Sequence, residues 1–200
     1  ISDAVSSSFS GEWTNATGRY KFRYRRRNTL GEIAYDTTAY RQNGDINATR
    51  MEAGLHGKMA DGQWTVRAYT YNSERGIPGA IVNNVFRHGE RLWDTNSFIQ
   101  GTLTNRWTKR FRSLFNAKYA ADYTHYENQD AKLIQTKNTY KQKELYLSCA
   151  NLFNILEQWE VSLAYDFQWN TLDATFYLPT ESDGTFPYPT RYTHMAALAT

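Results

Sequence analysis

Along much of the chain, apolar and polar residues alternate with a period of two, the repeat of a strand whose two faces meet different surroundings. The clearest run is residues 159–170, where Trp159, Val161, Leu163, Tyr165, Phe167 and Trp169 are separated by Glu160, Ser162, Ala164, Asp166, Gln168 and Asn170. Residues 63–71 repeat the pattern with Trp64, Val66, Ala68 and Thr70, and residues 113–123 with Phe115, Ala117, Tyr119, Ala121 and Tyr123. Weaker versions at residues 5–13, 19–25, 50–59, 99–107, 145–153 and 192–200 bring the prediction to nine strands. Residues 143–159 also fit a helix, because Leu145, Cys149, Leu152, Leu156 and Trp159 recur at three- and four-residue spacing. Two strands and a turn are preferred there, since the alternation resumes in phase from Trp159 and a lone helix would break the rhythm of the connections.

That rhythm is short then long. Short connections are expected near residues 15–18, 60–62, 108–110 and 154–158, and long ones near residues 28–45, 73–94, 127–138 and 172–190. Such alternation belongs to an up-and-down antiparallel sheet with tight turns on one rim and elaborated loops on the other. A strand of about 13 residues, tilted by about 45°, climbs about 30 Å, the thickness of a hydrocarbon core. Trp13, Tyr20, Trp64, Trp107, Phe111, Phe153 and Trp159 flank the short connections, as an interfacial aromatic girdle does. The fold class expected is therefore all-β, an antiparallel transmembrane β-barrel.

Composition sharpens this picture. No run approaches the roughly 18 apolar residues of a membrane helix, and 15 Tyr, 10 Phe and 6 Trp are too many aromatics for a disordered chain. A net charge of +3 demands no anionic partner, and the single Cys149 allows no internal disulfide. Residues 1–10 lack the basic start and apolar run of a signal peptide, and strand-like text at both ends predicts a section of a longer, processed protein.

No catalytic constellation is expected, and hence no enzyme: His56, His88, His125 and His194 are isolated without metal-ligand spacing, and no phosphate- or dinucleotide-binding motif is present. No cofactor or metal is called for. The basic ladder Lys21, Arg23, Arg25 and Arg27 could be read as a nucleic-acid track, but the rings beside it occupy the opposite parity, so no nucleic-acid partner is expected. Arg26 shares the parity of Tyr20, Phe22 and Tyr24 and is too costly at mid-bilayer, which places it at the outer interface or beyond. The mixed polar positions Arg50, Glu52, His56, Lys58, Lys118, Asp122, Glu144, Glu160 and Asp166 suit a hydrated lumen, an ordinary solvated sheet face being the alternative. Specificity would lie in the loop at residues 73–94 and the nearby strand ends. The candidate ligand-binding residues are Tyr69, Tyr71, Arg75, Arg87 and Arg91. The arginines would meet an anionic or metal-chelating ligand, and they suit pairing with Glu74, Glu90 and Asp94 equally; the tyrosines, like Tyr126, suit ligand stacking or lumen filling.

At residues 73–82 (SERGIPGAIV), with RAYTY before them and ERLWD after, the chain resembles the TonB-dependent outer-membrane receptors of Bacteroides-like bacteria. Residues 116–123 (NAKYAADY) and 165–174 (YDFQWNTLDA) are similar to the same family. The resemblance implies a 22-stranded barrel closed by an N-terminal plug, importing a scarce siderophore, metal chelate or cobalamin with energy from TonB. Residues 1–200 would then form part of one barrel domain, a mid-barrel portion, with the plug domain absent from this chain. The partners implied are outer-membrane lipid, the plug of the full-length protein, TonB acting through that plug, and a small-molecule ligand. Two other readings stay open: a small passive porin-like barrel, and a soluble all-β carbohydrate-binding module.

Overall fold

The computed structural model describes residues 5–79, 89–128, 136–156, 158–176 and 184–200, and the only regular structure among them is strand. The strands are β1 (Val5–Ala16), β2 (Tyr20–Arg27), β3 (Ile33–Arg41), β4 (Ile46–Met59), β5 (Gly62–Ile77), β6 (Glu90–Thr108), β7 (Phe111–Asn128), β8 (Thr136–Leu156), β9 (Trp159–Phe176), β10 (Gly184–Pro187) and β11 (Arg191–Ala199). All pairings are antiparallel. One sheet runs β1-β4-β5-β6-β7-β8-β9-β10, with β11 also beside β9, while β2 and β3 form a separate ribbon. The all-β antiparallel class is therefore present. Among the described residues no sheet closes: β1 is one edge, and β10 with β11 is the other. Of residues 143–159, where helix and strand competed, 143–156 fall in β8 and Trp159 opens β9.

The register assigns a face to every residue. Phe9, Ala53, Ala68, Ile99, Tyr119, Leu145, Trp169 and Tyr192 lie side by side across the sheet. One residue along, on the other face, come Ser8, Gly54, Arg67, Gln100, Lys118, Tyr146, Gln168 and Thr193. Burial along these rows leans the opposite way from a water-soluble sheet: Phe9 is 76% and Ile99 52% exposed, with Leu145 and Trp169 half-buried, whereas Lys118 and Gln168 are half-buried and Arg67 is exposed. The buried hydrophobics among the described residues are three alanines, Ala48, Ala120 and Ala174. Among the described residues no second layer covers the oily face.

Two expectations need correction. The connection near residues 15–18 is not a tight turn between sheet neighbours, because β1 pairs with β4 and not with β2. Residues 28–45 are not one long loop, since β3 occupies most of them and pairs with β2 in a ribbon that springs from the long-loop rim. Trp13 and Tyr20 accordingly sit towards the long-loop rim, away from the girdle predicted for them, because Trp13 pairs with Thr49, which faces Asn72. Trp107, Phe111, Phe153 and Trp159 do gather at the tight-turn rim, where the Phe111 and Phe153 rings stack at 4.6 Å. The prediction of nine strands becomes eleven, the additions being β3 and the four-residue β10. β10 and β11 share one edge line beside β9, interrupted by residues 188–190, where Pro189 has no N–H for the ladder.

On the apolar face, Trp159 to Trp169 spans about 33 Å along β9, or about 23 Å high at a 45° tilt, close to the roughly 25 Å apolar band of outer-membrane barrels. Five strands of 16–21 residues continue beyond that band towards the long-loop rim.

Candidate functional site

The polar face is the chemically populated one. The register places Arg50, Glu52, His56, Lys58, Lys118, Asp122, Glu144, Glu160 and Asp166 on it together, as their parity predicted. Charges pair along it: Lys118 Nζ lies 3.2 Å from Glu144 Oε1, Arg50 lies 3.7 Å from Glu52, and Asn96 donates to Asp122 at 2.9 Å. At its centre Tyr69 and Phe98 stack, with centroids 5.0 Å apart and planes 18° from parallel. The Arg50 guanidinium lies 5.5 Å from the Tyr69 centroid and Lys118 Nζ 5.9 Å from that of Phe98, so each ring carries a cation. Towards the loop rim, Arg75 meets Asp94 at 3.0 Å, and Thr124 donates to the other Asp94 oxygen at 3.0 Å. Ser73 is 2% exposed, and its hydroxyl has no hydrogen-bond partner among the described residues.

Of the five candidate residues, Tyr69, Tyr71 and Arg75 share this face along β5. Arg91 lies on the opposite parity, next to Gly76 and Glu127. Its guanidinium is held by Asp45 at 2.9 Å and Glu74 at 2.5 Å. Burial pulls the Arg91 pKa down, but the hydrogen bonds it donates to Asp45 and Glu74, with their negative charge, outweigh it and leave a net rise. The pairing of these arginines with Glu74 and Asp94, one of the two readings open in the sequence, is what the structure contains. Arg87 and His88 lie outside the described residues.

The Arg91 cluster was not legible in the sequence because it joins distant segments. Asn43, in the left-handed region at φ 60°, donates to Ile77 O at 3.1 Å and Glu90 O at 2.7 Å, and Gly76 N donates to Asp45 O at 2.9 Å. A Cβ on Gly76 would stand 2.6 Å from Asn43 O, so only glycine admits this approach. Arg41 donates to the carbonyls of Pro78 and Gly79. Together these contacts fasten the root of the β2–β3 ribbon to the base of the 73–94 loop. Phe98 was missed for another reason: it is an apolar residue on a polar parity, and its only local signal is that exception.

The ribbon has its own electrostatics. Asn28 caps its turn, its side-chain oxygen accepting from Leu30 N at 3.0 Å and Glu32 N at 2.9 Å. Asp36 receives Arg23 at 2.6 Å and Arg25 at 3.3 Å, and the Arg23 hydrogen bond holds its carboxyl below the usual carboxylate range. A lowered folded pKa contributes stability that is present above the unfolded value of about 3.9 and is lost as pH falls through the folded one. The protection factors of β2 and β3 amides, taken against intrinsic exchange rates at each pH, are thus expected to fall below about pH 4, and Asp36→Asn should abolish that acid dependence.

Among the described residues no group of three or more His, Cys, Asp or Glu side chains is placed to hold a metal ion. His56, His125 and His194 are apart, bonded to Thr65, Thr139 and Tyr165 respectively. Cys149 is half-buried on the apolar parity beside a hollow of about 910 Å³ that runs over Gly101 and Ala117 between Trp64, Phe115, Leu147 and Phe167. The chain matches no protein-family model and no curated protein.

Proposed function

We propose that the chain is a section of a transmembrane barrel in the outer membrane of a Gram-negative cell, belonging to a TonB-dependent transporter for a scarce ligand such as a siderophore, metal chelate or cobalamin. The observation that carries this reading is the division of the faces: an apolar face that no other described element covers, opposite a face that gathers the paired charges and side-chain hydrogen bonds. Lipid would cover the first face and line the hollow over Gly101 and Ala117, while the second would face the lumen. The plug of the full-length protein would pack against that lumenal face. The transporter reading, with its 22 strands, plug and TonB, is supported by the family likeness around residues 73–94 and by strands that continue past the apolar band to an elaborated rim.

On this reading the barrel wall does no covalent chemistry. The paired charges make it a rigid frame, the long-loop rim captures the ligand, and TonB-driven rearrangement of the plug opens the path. The Tyr69–Phe98 stack and its two cations offer a flat, polarised surface to a ligand passing along the wall.

The deciding experiment is the intact mass of the native gene product in fractionated membranes. An outer-membrane product several times heavier than 23.2 kDa is expected. A membrane product near 23.2 kDa would point to a small passive barrel, and a soluble product would sink the membrane reading.

A further inference from the structure

The β2–β3 ribbon concentrates the chain's positive charge. Residues 19–41 hold seven Arg and Lys (Arg19, Lys21, Arg23, Arg25, Arg26, Arg27, Arg41) against Glu32 and Asp36, a net +5 in a chain whose total is +3, leaving −2 for the rest. Four of the cations, Lys21, Arg23, Arg25 and Arg27, alternate along one face of β2 and are exposed, Arg23 at 64% of its side chain. Alternate residues of a strand stand about 6.6 Å apart, so the four make a line about 20 Å long, whose last member, Arg27, follows a register shift and donates to Gly31 O. Across from them on β3 stand Tyr40, Thr38 and Asp36. Asp36 offsets one charge, and the line keeps a net +3.

We infer that this line is a docking strip for a linear acidic polysaccharide, a sugar chain bearing carboxylates at regular intervals. A straight row of solvated cations complements a straight polyanion, and the net negative charge of the rest of the chain directs that polyanion to the ribbon. Sugars rather than bases fit, because Phe22, Tyr24 and Tyr35 lie on the opposite face, where they cannot stack on a strand held by the cations. The ring on the cation face is Tyr40, at the root, with the Arg19 guanidinium 4.6 Å from its centroid; it offers one pyranose a stacking surface at the end of the row. This site stands apart from the membrane reading, since the ribbon lies outside the nine-stranded sheet.

The test uses the full-length protein in neutral detergent, or in buffer should it prove soluble, with fluorescent polygalacturonate as probe and its methyl-esterified form, oligo-dT and phosphatidylglycerol vesicles as competitors. Polygalacturonate is expected to bind in a salt-sensitive manner and the esterified polymer not at all. Lys21→Gln with Arg25→Gln, which keeps the Arg23–Asp36 pair, should weaken binding about two- to twenty-five-fold. Arg67→Gln, a cation on the sheet's polar face, should leave it unchanged. Equal loss from Arg67→Gln, or oligo-dT or the vesicles displacing the probe at equal charge concentration, would overturn the assignment. So would unchanged binding in the double variant while its β2–β3 amides remain protected.

Discussion

Leu147→Arg is expected to stop the full-length protein from accumulating in the outer membrane, while Ser148→Asn, one residue along on the opposite face, leaves assembly intact. Leu147 stands between Ala117 and Phe167 inside the apolar band, towards its long-loop end, and is 42% exposed. An arginine on the lipid face of an outer-membrane barrel costs about 2–4 kcal/mol at the midplane and less towards the interface, still a substantial share at this depth of the roughly 5–15 kcal/mol that holds a typical domain folded. Ser148 faces Asn116 and Asp166, where an amide finds polar partners. Recovery in the membrane fraction and heat-dependent mobility on gels report the difference. The contrast also separates the two environments, since an arginine at a half-exposed position of a water-soluble sheet is nearly neutral. Tolerance of both variants would mean that the faces are assigned wrongly.

The second large effect is expected from Gly18→Ala, and it should be local. Gly18 has φ +56°, and a Cβ there would fall 1.7 Å from Gly44 O, a backbone atom that cannot swing aside. The substitution combines left-handed strain of about 1–2 kcal/mol with overpacking of about 1–3 kcal/mol. Gly18 and Gly44 are where the two chain segments entering and leaving the β2–β3 ribbon touch. Separating them should loosen the Asn43 and Asp45 contacts that anchor the ribbon root, while the β4–β9 ladders stay paired. Hydrogen exchange should show lost protection in residues 20–46 and unchanged protection in β6 to β8. Loss of protection throughout the sheet would show that the ribbon root is part of the cooperative core instead.

The strands of the main sheet were legible because each has one consistently apolar parity, and that parity survives whatever the neighbours do. β9 is the clearest case, with Trp159, Val161, Leu163, Tyr165, Phe167 and Trp169 all on the apolar face that their parity predicted. β3 was not legible: in a two-stranded ribbon neither face needs to be apolar, so Thr37, Thr38 and Ala39 leave no signal. Arg75 and Arg91 were legible as chemistry but not as geometry, and they stand at the ends of β5 and β6 where a loop over residues 73–94 was expected. Arg75 and Arg91 fall on opposite parities, and the carboxylates that hold Arg91 come from β5 and from the connection before β4.

Alternation thus determined the all-β antiparallel class, the faces of the long strands and the tight turns after β4, β6 and β8, because these depend on local periodicity. Only the tertiary structure decided that β1 pairs with β4, that the cationic ladder stands on a separate ribbon, and that Tyr69 stacks on Phe98. Those facts depend on register between segments distant along the chain, which periodicity within a segment does not encode.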